Sequence, residues 1–342
     1  MQHRIYLLLL IFWRCLQSIE FVVVPDYPPC VENLFVDGEV TNYIEASVWN
    51  KIKYLLNQEG HSVSAAYFSD LPLINKGKHI IVWNHLGEEA TLQLKQIKPK
   101  YLSVIIYEPP SVLQHIHTDK YNSLFSRVIT WDDDKVDGAK FVKFYYPFCS
   151  QMIKDVVPFS ERKLCTLIAA NKESNFRGEI YSERKRAILY FNTFPDQFDF
   201  YGPGWKKMKL QTYKGVVDSK IDALKRYKFS ICYENTQGMN GYITEKIFDC
   251  FQAGVVPVYL GASNISDEIP SNCFIDKRNF KSYKKLHDYL LAITEEEFNC
   301  YLDNIRTFLV SDKAKDYTPD SFALSVVNAL TGLKLTRDDL PR

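Results

Sequence analysis

The sequence predicts an α/β protein made of two consecutive doubly wound domains. Short apolar runs rich in β-branched residues recur without polar alternation, which is typical of parallel strands covered on both faces. Segments with helical spacing separate these runs, so strands and helices alternate along the chain. A length of 342 residues, 46% of them hydrophobic, is enough for two domains with cores of their own.

The first half contains three predicted strands and two predicted helices. The strands cover residues 21–24, 79–83 and 103–107, and the helices cover 43–56 and 88–97. In the first helix Ile44, Val48 and Ile52 recur at helical spacing, and Gly60 lies just beyond its end. Pro99 closes the second helix.

The second half repeats the pattern and contains the clearest unit of the chain. Strands are predicted at 164–169 and 198–201, with a helix at 180–191 before the second of them. A strand at 229–233, a polar loop at 234–243, a helix at 244–253 and a strand at 255–260 then form a β-loop-α-β unit, in which Gly254 stops the helix. We expect an N-terminal domain over 21–155, a C-terminal domain over 156–335 and a ligand in the cleft between them.

The amino-terminal residues allow two interpretations. The apolar run 5–13 is shorter than the roughly 20 residues that span a bilayer as a helix, but it fits the core of a signal peptide. Residues 1–20 are therefore either a signal or anchor segment, with membrane association through the N-terminus, or an N-terminal extension. One glycosylation sequon, Asn264-Ile265-Ser266, adds little weight to secretion.

Charge and cysteine content argue against several classes of protein. The 42 lysines and arginines almost balance the 41 aspartates and glutamates, and the net charge of +1 does not indicate a nucleic-acid partner. The eight cysteines are scattered, without a C-x-x-C pair or zinc spacing, and read as small buried hydrophobes. An anion that binds here must be held by local groups.

The helix predicted to begin at Thr244 offers such groups. A helix amino end has free N–H donors and partial positive charge, and it favours phosphate. Thr244 is a good N-cap residue, Lys246 adds a full positive charge, and Glu245 can accept hydrogen bonds from sugar hydroxyls. Asn235 and Tyr242 on the preceding loop can add polar contacts or stacking. The alternative is an ordinary capped helix at the surface.

The residues around this helix carry a resemblance to a known family. The chain reads YKFSICYEN from Tyr227, YITEK from Tyr242 and AGVVPVYLG from Ala253. This resembles the signature of the α-1,3/4-fucosyltransferases, glycosyltransferase family 10, whose pattern is Y-K-F-x-x-x-F-E-N, Y-(I/V)-T-E-K and A-x-x-V-P-V-x-x-G. A weaker resemblance covers most of residues 75–310. It implies a GT-B fold, two facing Rossmann-like domains, with GDP-fucose bound mainly by the C-terminal one.

The resemblance also implies a set of donor-binding residues. Lys246 would face the pyrophosphate and Glu245 the fucose hydroxyls, with Asn235 and Tyr242 lining the same pocket. A family arginine that pairs with the phosphates falls at Arg184 or, with a small alignment gap, at Arg186. The full implied set is Asn171, Arg184, Arg186, Lys220, Asn235, Tyr242, Ile243, Thr244, Glu245 and Lys246.

Glu108 is the implied general base. Tyr107-Glu108-Pro109-Pro110-Ser111 follows a predicted strand and is similar to the family's F-E-S-P-S, where the glutamate takes the proton of the acceptor hydroxyl. One displacement on GDP-β-L-fucose would then give an α-fucoside on a glycan acceptor, by resemblance the GlcNAc of a Gal-GlcNAc unit in α-1,3 linkage. Alternatives are another GDP-sugar on the same scaffold and a carbohydrate-binding protein without catalysis.

Two further features of the sequence limit this interpretation. Asp132-Asp133-Asp134 resembles a metal-binding D-x-D motif, but the family places this loop near the acceptor side, and no metal or other cofactor is predicted. Residues 309–342 lack the C-terminal cysteine pairs of the vertebrate members, so the chain looks more like the compact bacterial or viral branch. Its location is then the cytoplasm or a membrane surface, and the Golgi lumen only if the source is eukaryotic.

Overall fold

A computed structural model of the protein describes residues 18–26, 31–32, 34–35, 45–74, 77–84 and 87–340. The predicted signal or anchor segment lies outside the described residues up to position 17, as do residues 43–44 of the first predicted helix. Within the described ranges, no helix is long and apolar enough to cross a membrane.

The described part of the N-terminal half forms a parallel sheet in the order β2-β1-β3-β4-β5-β6. Its strands are β1 Glu20–Pro25, β2 Ser62–Ala65, β3 His79–Trp83, β4 Leu102–Ile106, β5 Arg127–Thr130 and β6 Phe141–Lys143. Every residue of β3 and β4 is buried, as expected for strands covered on both faces. The strands predicted at 21–24, 79–83 and 103–107 are thereby confirmed.

The described part of the C-terminal half forms a second parallel sheet in the order β11-β10-β9-β7-β8. Its strands are β7 Lys163–Ile168, β8 Phe198–Tyr201, β9 Tyr227–Tyr233, β10 Val256–Leu260 and β11 Ile275–Asp276. The strands predicted at 164–169, 198–201, 229–233 and 255–260 are confirmed to within two residues at each end. Together the two sheets give the predicted α/β class.

Helices cover the faces of both sheets. Their bounds are α1 Glu45–Gln58, α2 Leu71–Ile74, α3 Gly87–Leu94, α4 Asp119–Asn122, α5 Tyr181–Phe191, α6 Lys220–Leu224, α7 Glu245–Gln252, α8 Ile265–Glu268, α9 Tyr283–Ala292, α10 Glu295–Leu309, α11 Asp312–Lys315 and α12 Pro319–Thr331. Gly254 follows α7 with φ of 64°, and the amide of Val255 donates to the carbonyl of Cys250 at 2.9 Å. This is the glycine stop that the sequence predicts.

The last helix departs from the predicted division of the chain. We expected residues up to 335 to belong to the C-terminal domain, but α12 packs against α1 and the N-terminal sheet. Phe322 and Val326 of α12 lie in one buried cluster with Trp49 and Ile52 of α1. The reason is that α1 alone cannot cover this face of the sheet, and the apolar side of α12 completes it.

The carboxyl edges of the two sheets meet. The loop after β4 touches the loop after β9, where the Ser111 hydroxyl donates to the carbonyl of Asn235 at 3.2 Å. The loop after β5 touches the loop after β10, where the amide of Asn264 donates to the Asp133 carboxylate at 2.9 Å. Ligands of such sheets bind at these edges, so the functional groups gather here.

Candidate active site

The turn between β9 and α7 is organised by a buried carboxylate, Glu234, which is 0% exposed. It accepts hydrogen bonds from the Thr244 amide at 2.9 Å and the Thr244 hydroxyl at 2.7 Å. Lys246 lies on the same carboxylate, 3.3 Å from its oxygen. A buried carboxylate needs such partners to remain charged. The hydrogen bonds from Thr244 and the contact with Lys246 also fix the start of α7. Glu234 is the glutamate of the motif YKFSICYEN, and no sequence pattern assigned it a role.

Thr244 is the N-cap residue of α7, as predicted, but its side chain makes no capping hydrogen bond. Its hydroxyl donates to Glu234 and accepts from Lys246 at 2.9 Å. The hydroxyl therefore does not satisfy the first amides of α7, and the helix amino end keeps its donors for another partner.

Lys246 and Glu245 form the polar end of α7. The ammonium of Lys246 contacts the Glu245 carboxylate at 3.0 Å, and its side chain is 25% exposed. Burial alone would lower the pKa of Lys246, but the carboxylates of Glu245 and Glu234 raise it above its usual range. Burial would also raise the pKa of Glu245, yet Lys246 and Lys220 lower it to about 2. The site therefore presents a fixed cation beside a fixed hydrogen-bond acceptor.

The structure distinguishes the two candidate arginines by their burial and contacts. Arg184 is buried and donates to the carbonyls of Tyr233 and Glu234 at 2.7 and 2.6 Å, and to the Asn235 amide oxygen at 2.9 Å. Arg186 points to solvent, with a 66% exposed side chain paired with Glu183. Arg184 is thus the arginine beside the site, and because its guanidinium holds the oxygen of Asn235, that side chain has its amide donors left for a ligand.

The other predicted donor residues are placed around this centre. Lys220 begins α6 and pairs with Asp249 of α7 at 2.9 Å, with its side chain 49% exposed. Asn171 follows β7, and its amide donates to the carbonyl of Gly204 at 3.2 Å, within the loops after β7 and β8. Asn171 thus lies just beyond the carboxyl end of β7, whereas Lys220 lies on α6 beside α7.

Tyr242 and Ile243 are buried beneath this surface. Ile243 is 0% exposed within the C-terminal core. Tyr242 is 2% exposed and belongs to the N-terminal core cluster, where its ring packs on Trp131 with centroids 4.7 Å apart. In this structure Tyr242 therefore joins the two halves by packing.

Glu108 comes to the same place from the N-terminal half. It follows β4, is half-buried, and stands in the loop whose Ser111 contacts Asn235 and Thr236. The structure thus brings Glu108, Asn235 and Lys246 to one meeting point of the two sheets.

The electrostatic surroundings of Glu108 are mixed. Burial is the largest influence and raises its pKa, and the carboxylates of Glu245 and Asp26 raise it further. Lys246 and Lys172 act in the opposite direction, without reversing the shift. A carboxylate with a raised pKa in a cleft is well suited to act as a general base.

The acidic run Asp132-Asp133-Asp134 contributes to the contact between the halves. Asp133 pairs with Lys143 at 2.5 Å and accepts from Asn264 at 2.9 Å, while Asp134 accepts from Asn240 at 2.9 Å. Two of the three carboxylates therefore bind cationic or amide partners that hold the loops after β5, β9 and β10 together.

Known proteins resemble this chain over different parts of its length. A sequence model described as glycosyltransferase family 10 (fucosyltransferase) C-term matches residues 158–323. Similar relatives include an alpha-(1,3)-fucosyltransferase FucT of Helicobacter pylori, 36% identical over 25% of this chain and 18% of the relative. Another is the 4-galactosyl-N-acetylglucosaminide 3-alpha-L-fucosyltransferase 9 of Mus musculus, 30% identical over 66% of this chain and 59% of the relative.

The fold is shared with a solved structure. A crystal structure of an alpha1,3-fucosyltransferase with GDP covers 95% of this chain and 94% of its own, with a TM-score of 0.55 and 15% identity. The two parallel sheets and their helices thus have the GT-B fold. Within this chain, residues 158–323 belong to glycosyltransferase family 10, the fucosyltransferases. The chain spans 18% and 59% of the lengths of the two relatives named above.

Proposed function

We propose that the protein is an inverting fucosyltransferase that moves L-fucose from GDP-β-L-fucose to a hydroxyl of a glycan acceptor. The main supporting observation is that the loop after β4, which carries Glu108, contacts Asn235 in the loop that leads into α7 and Lys246. Family membership supports the nucleotide-sugar donor. The relatives' names support an acceptor with GlcNAc in a Gal-GlcNAc unit and an α-1,3 linkage.

The charges of the site assign a role to each group. As the bond to GDP breaks, negative charge grows on the diphosphate, and the Lys246 ammonium and the amino end of α7 stabilise it. Arg184 holds Asn235 and the carbonyls after β9, so it orients the donor pocket from behind. Glu245, ionised at neutral pH, accepts hydrogen bonds from fucose hydroxyls.

Glu108 acts on the acceptor from the opposite domain. Its carboxylate takes the proton of the attacking hydroxyl as that oxygen bonds to the fucose anomeric carbon, on the face away from GDP. One displacement inverts the β-linked donor to an α-fucoside, and a second carboxylate nucleophile is not required.

The decisive experiment measures GDP release and product formation with GDP-fucose and a Gal-GlcNAc acceptor. Glu108→Gln is expected to lose transfer by about 10²- to 10⁴-fold while it still binds GDP, because only the base is removed. Lys246→Ala is expected to lose both GDP affinity and transfer. Full transfer by Glu108→Gln would exclude that residue as the base.

A second donor is the main alternative. A thermal-shift panel of nucleotide sugars separates the two, since a ligand that binds the native state raises the unfolding midpoint. A larger shift with another GDP-sugar than with GDP-fucose would favour that donor on the same scaffold. Binding without turnover on every acceptor tested would favour a carbohydrate-binding protein.

A further inference from the structure

The short segment that carries Glu108 is held at each of its backbone polar groups. The amides of Tyr107 and Glu108 both donate to the side-chain oxygen of Asn84, at 2.7 and 3.1 Å. The carbonyl of Glu108 accepts from His117 Nε2 at 2.8 Å, and the carbonyl of Tyr107 accepts from Trp131 Nε1 at 3.0 Å. Such complete bonding fixes where the chain leaves β4, and with it the origin of the Glu108 side chain.

Asn84 has a left-handed backbone conformation. It follows β3 directly, is 8% exposed, and has φ of 58°, in a region that glycine adopts freely and asparagine more readily than most other residues. Its own amide continues the sheet by donating to the carbonyl of Ile105 at 2.8 Å. A buried residue kept in such a conformation is typical of a functional site.

The other polar groups of Asn84 are also engaged. Its side-chain amide donates to the Asp26 carboxylate at 3.1 Å, and its carbonyl accepts from the Tyr121 hydroxyl at 3.2 Å. Asp26, Asn84 and Glu108 follow β1, β3 and β4, which are neighbours in the sheet. One asparagine therefore ties three adjacent strand ends together at the edge where the acceptor would bind.

We propose that Asn84 is a positioning residue that sets the direction of the Glu108 carboxylate toward the acceptor hydroxyl. This proposal rests on the proposed function, in which Glu108 is the general base. A base must lie within hydrogen-bond reach of the proton that it removes, and a misplacement of about 1 Å can lower a rate about 10²-fold. Asn84 acts through the two backbone amides and does not itself touch the substrate.

The test is Asn84→Gly, because glycine adopts positive φ freely and so retains the turn while losing the side chain. The purified full chain is assayed with GDP-fucose and a Gal-GlcNAc acceptor. We expect kcat to fall about 10²-fold. The KM for GDP-fucose is expected to stay unchanged, since the donor groups belong to the other sheet.

A matched control breaks a buried bond between the same two strands at the opposite edge. Ser103→Ala removes the partner of His79 Nε2, which lies 2.8 Å from the Ser103 hydroxyl. This variant is expected to have a lower unfolding midpoint and an unchanged kcat. If Asn84→Gly loses no more kcat than Ser103→Ala, or if its loss lies in KM for the donor, the positioning role is overturned.

Glu108→Gln, assayed beside them, distinguishes the role of Glu108 as the base from the positioning role of Asn84. Full transfer by Glu108→Gln refutes the base, and the role of Asn84 with it. An inactive Glu108→Gln beside a fully active Asn84→Gly refutes the role of Asn84 alone. An inactive Glu108→Gln beside an Asn84→Gly protein with reduced kcat and an unchanged donor KM supports both.

Discussion

The proposed chemistry depends on two residues of opposite charge, Lys246 and Glu108, whose electrostatic surroundings differ. Lys246 is surrounded by acceptors, the carboxylates of Glu234 and Glu245, that keep it charged. Glu108 is half-buried, and its pKa is raised mainly by burial. A permanently charged cation suits a leaving diphosphate, whereas a carboxylate of raised pKa suits proton transfer.

The raised pKa of Glu108 predicts the acid limb of the pH profile. A general base works as the carboxylate, so kcat should rise with pH through the pKa of Glu108 in the bound complex. Because burial raises that pKa, the half-maximal point should lie above the range of an ordinary glutamate. The check is kcat against pH at saturating donor and acceptor; a limb at or below the ordinary glutamate range would contradict this assignment.

Two neighbouring charges should move this limb in opposite directions. Asp26→Asn removes a charge that raises the pKa of Glu108, so the limb should move to lower pH. Lys172→Gln removes a charge that lowers the same pKa, so the limb should move to higher pH. Both shifts should shrink at high salt, since these charges act partly through solvent. Shifts of the same sign in both variants would show that the limb reports another group.

At the scale of elements, the β9–α7 unit was largely predictable from sequence. The apolar strand, the polar loop and Gly254 act locally, and local signals fixed the unit to within two residues. The partner of the Thr244 hydroxyl could not be predicted, because Glu234 lies across the turn, ten positions earlier in the chain. The burial of Tyr242 likewise depends on Trp131, which belongs to the other sheet. Contacts that distant in sequence leave no periodic pattern.

We expect Glu234 to stabilise the β9–α7 unit, because its buried carboxylate binds both Thr244 and Lys246. Glu234→Gln removes the charge that holds Thr244 and Lys246, and hydrogen bonds to charged groups contribute about 1.5–3 kcal/mol. We therefore expect the free energy of unfolding in urea to fall by about 2 kcal/mol, and the affinity for GDP, measured by calorimetry, to fall with it.

An exposed carboxylate gives the control for that measurement. Asp288→Asn removes a surface ion pair with Lys284, joined at 2.7 Å on α9, and should leave both quantities unchanged. Equal stability of Glu234→Gln and the unmodified protein would show that Glu234 does not hold the turn.

At the scale of the whole molecule, the proposed site depends on the relative position of the two sheets. Glu108 belongs to one half and Lys246 to the other, and α12 returns from the C-terminal half to close the N-terminal core. Asn264, the asparagine of the lone sequon, makes contacts between the two halves. Its side chain donates to Asp133 and accepts from the amide of Gly241 at 2.9 Å.

Gly241 lies where the two halves are in close contact, and it gives the last prediction. Its φ is 79°, and a Cβ there would lie 2.3 Å from the carbonyl oxygen of Trp131 and 2.5 Å from the ammonium of Lys143. Gly238, in the same loop, has φ of 81° and open space around a Cβ. The pair therefore separates backbone strain, common to both glycines, from contact between the halves.

We expect Gly238→Ala to lose about 1 kcal/mol of stability and to keep kcat and GDP affinity, since only a left-handed turn is strained. Gly241→Ala should lose more, because the loops after β5 and β9 must separate to admit the methyl group. Its kcat should fall further than its GDP affinity, since Glu108 moves away from a donor pocket that stays largely intact. Urea unfolding, GDP calorimetry and hydrogen exchange of residues 131–133 and 240–243 provide the measurements. Equal losses in the two variants, with unchanged exchange at 131–133, would mean that this contact does not hold the base and the donor pocket together.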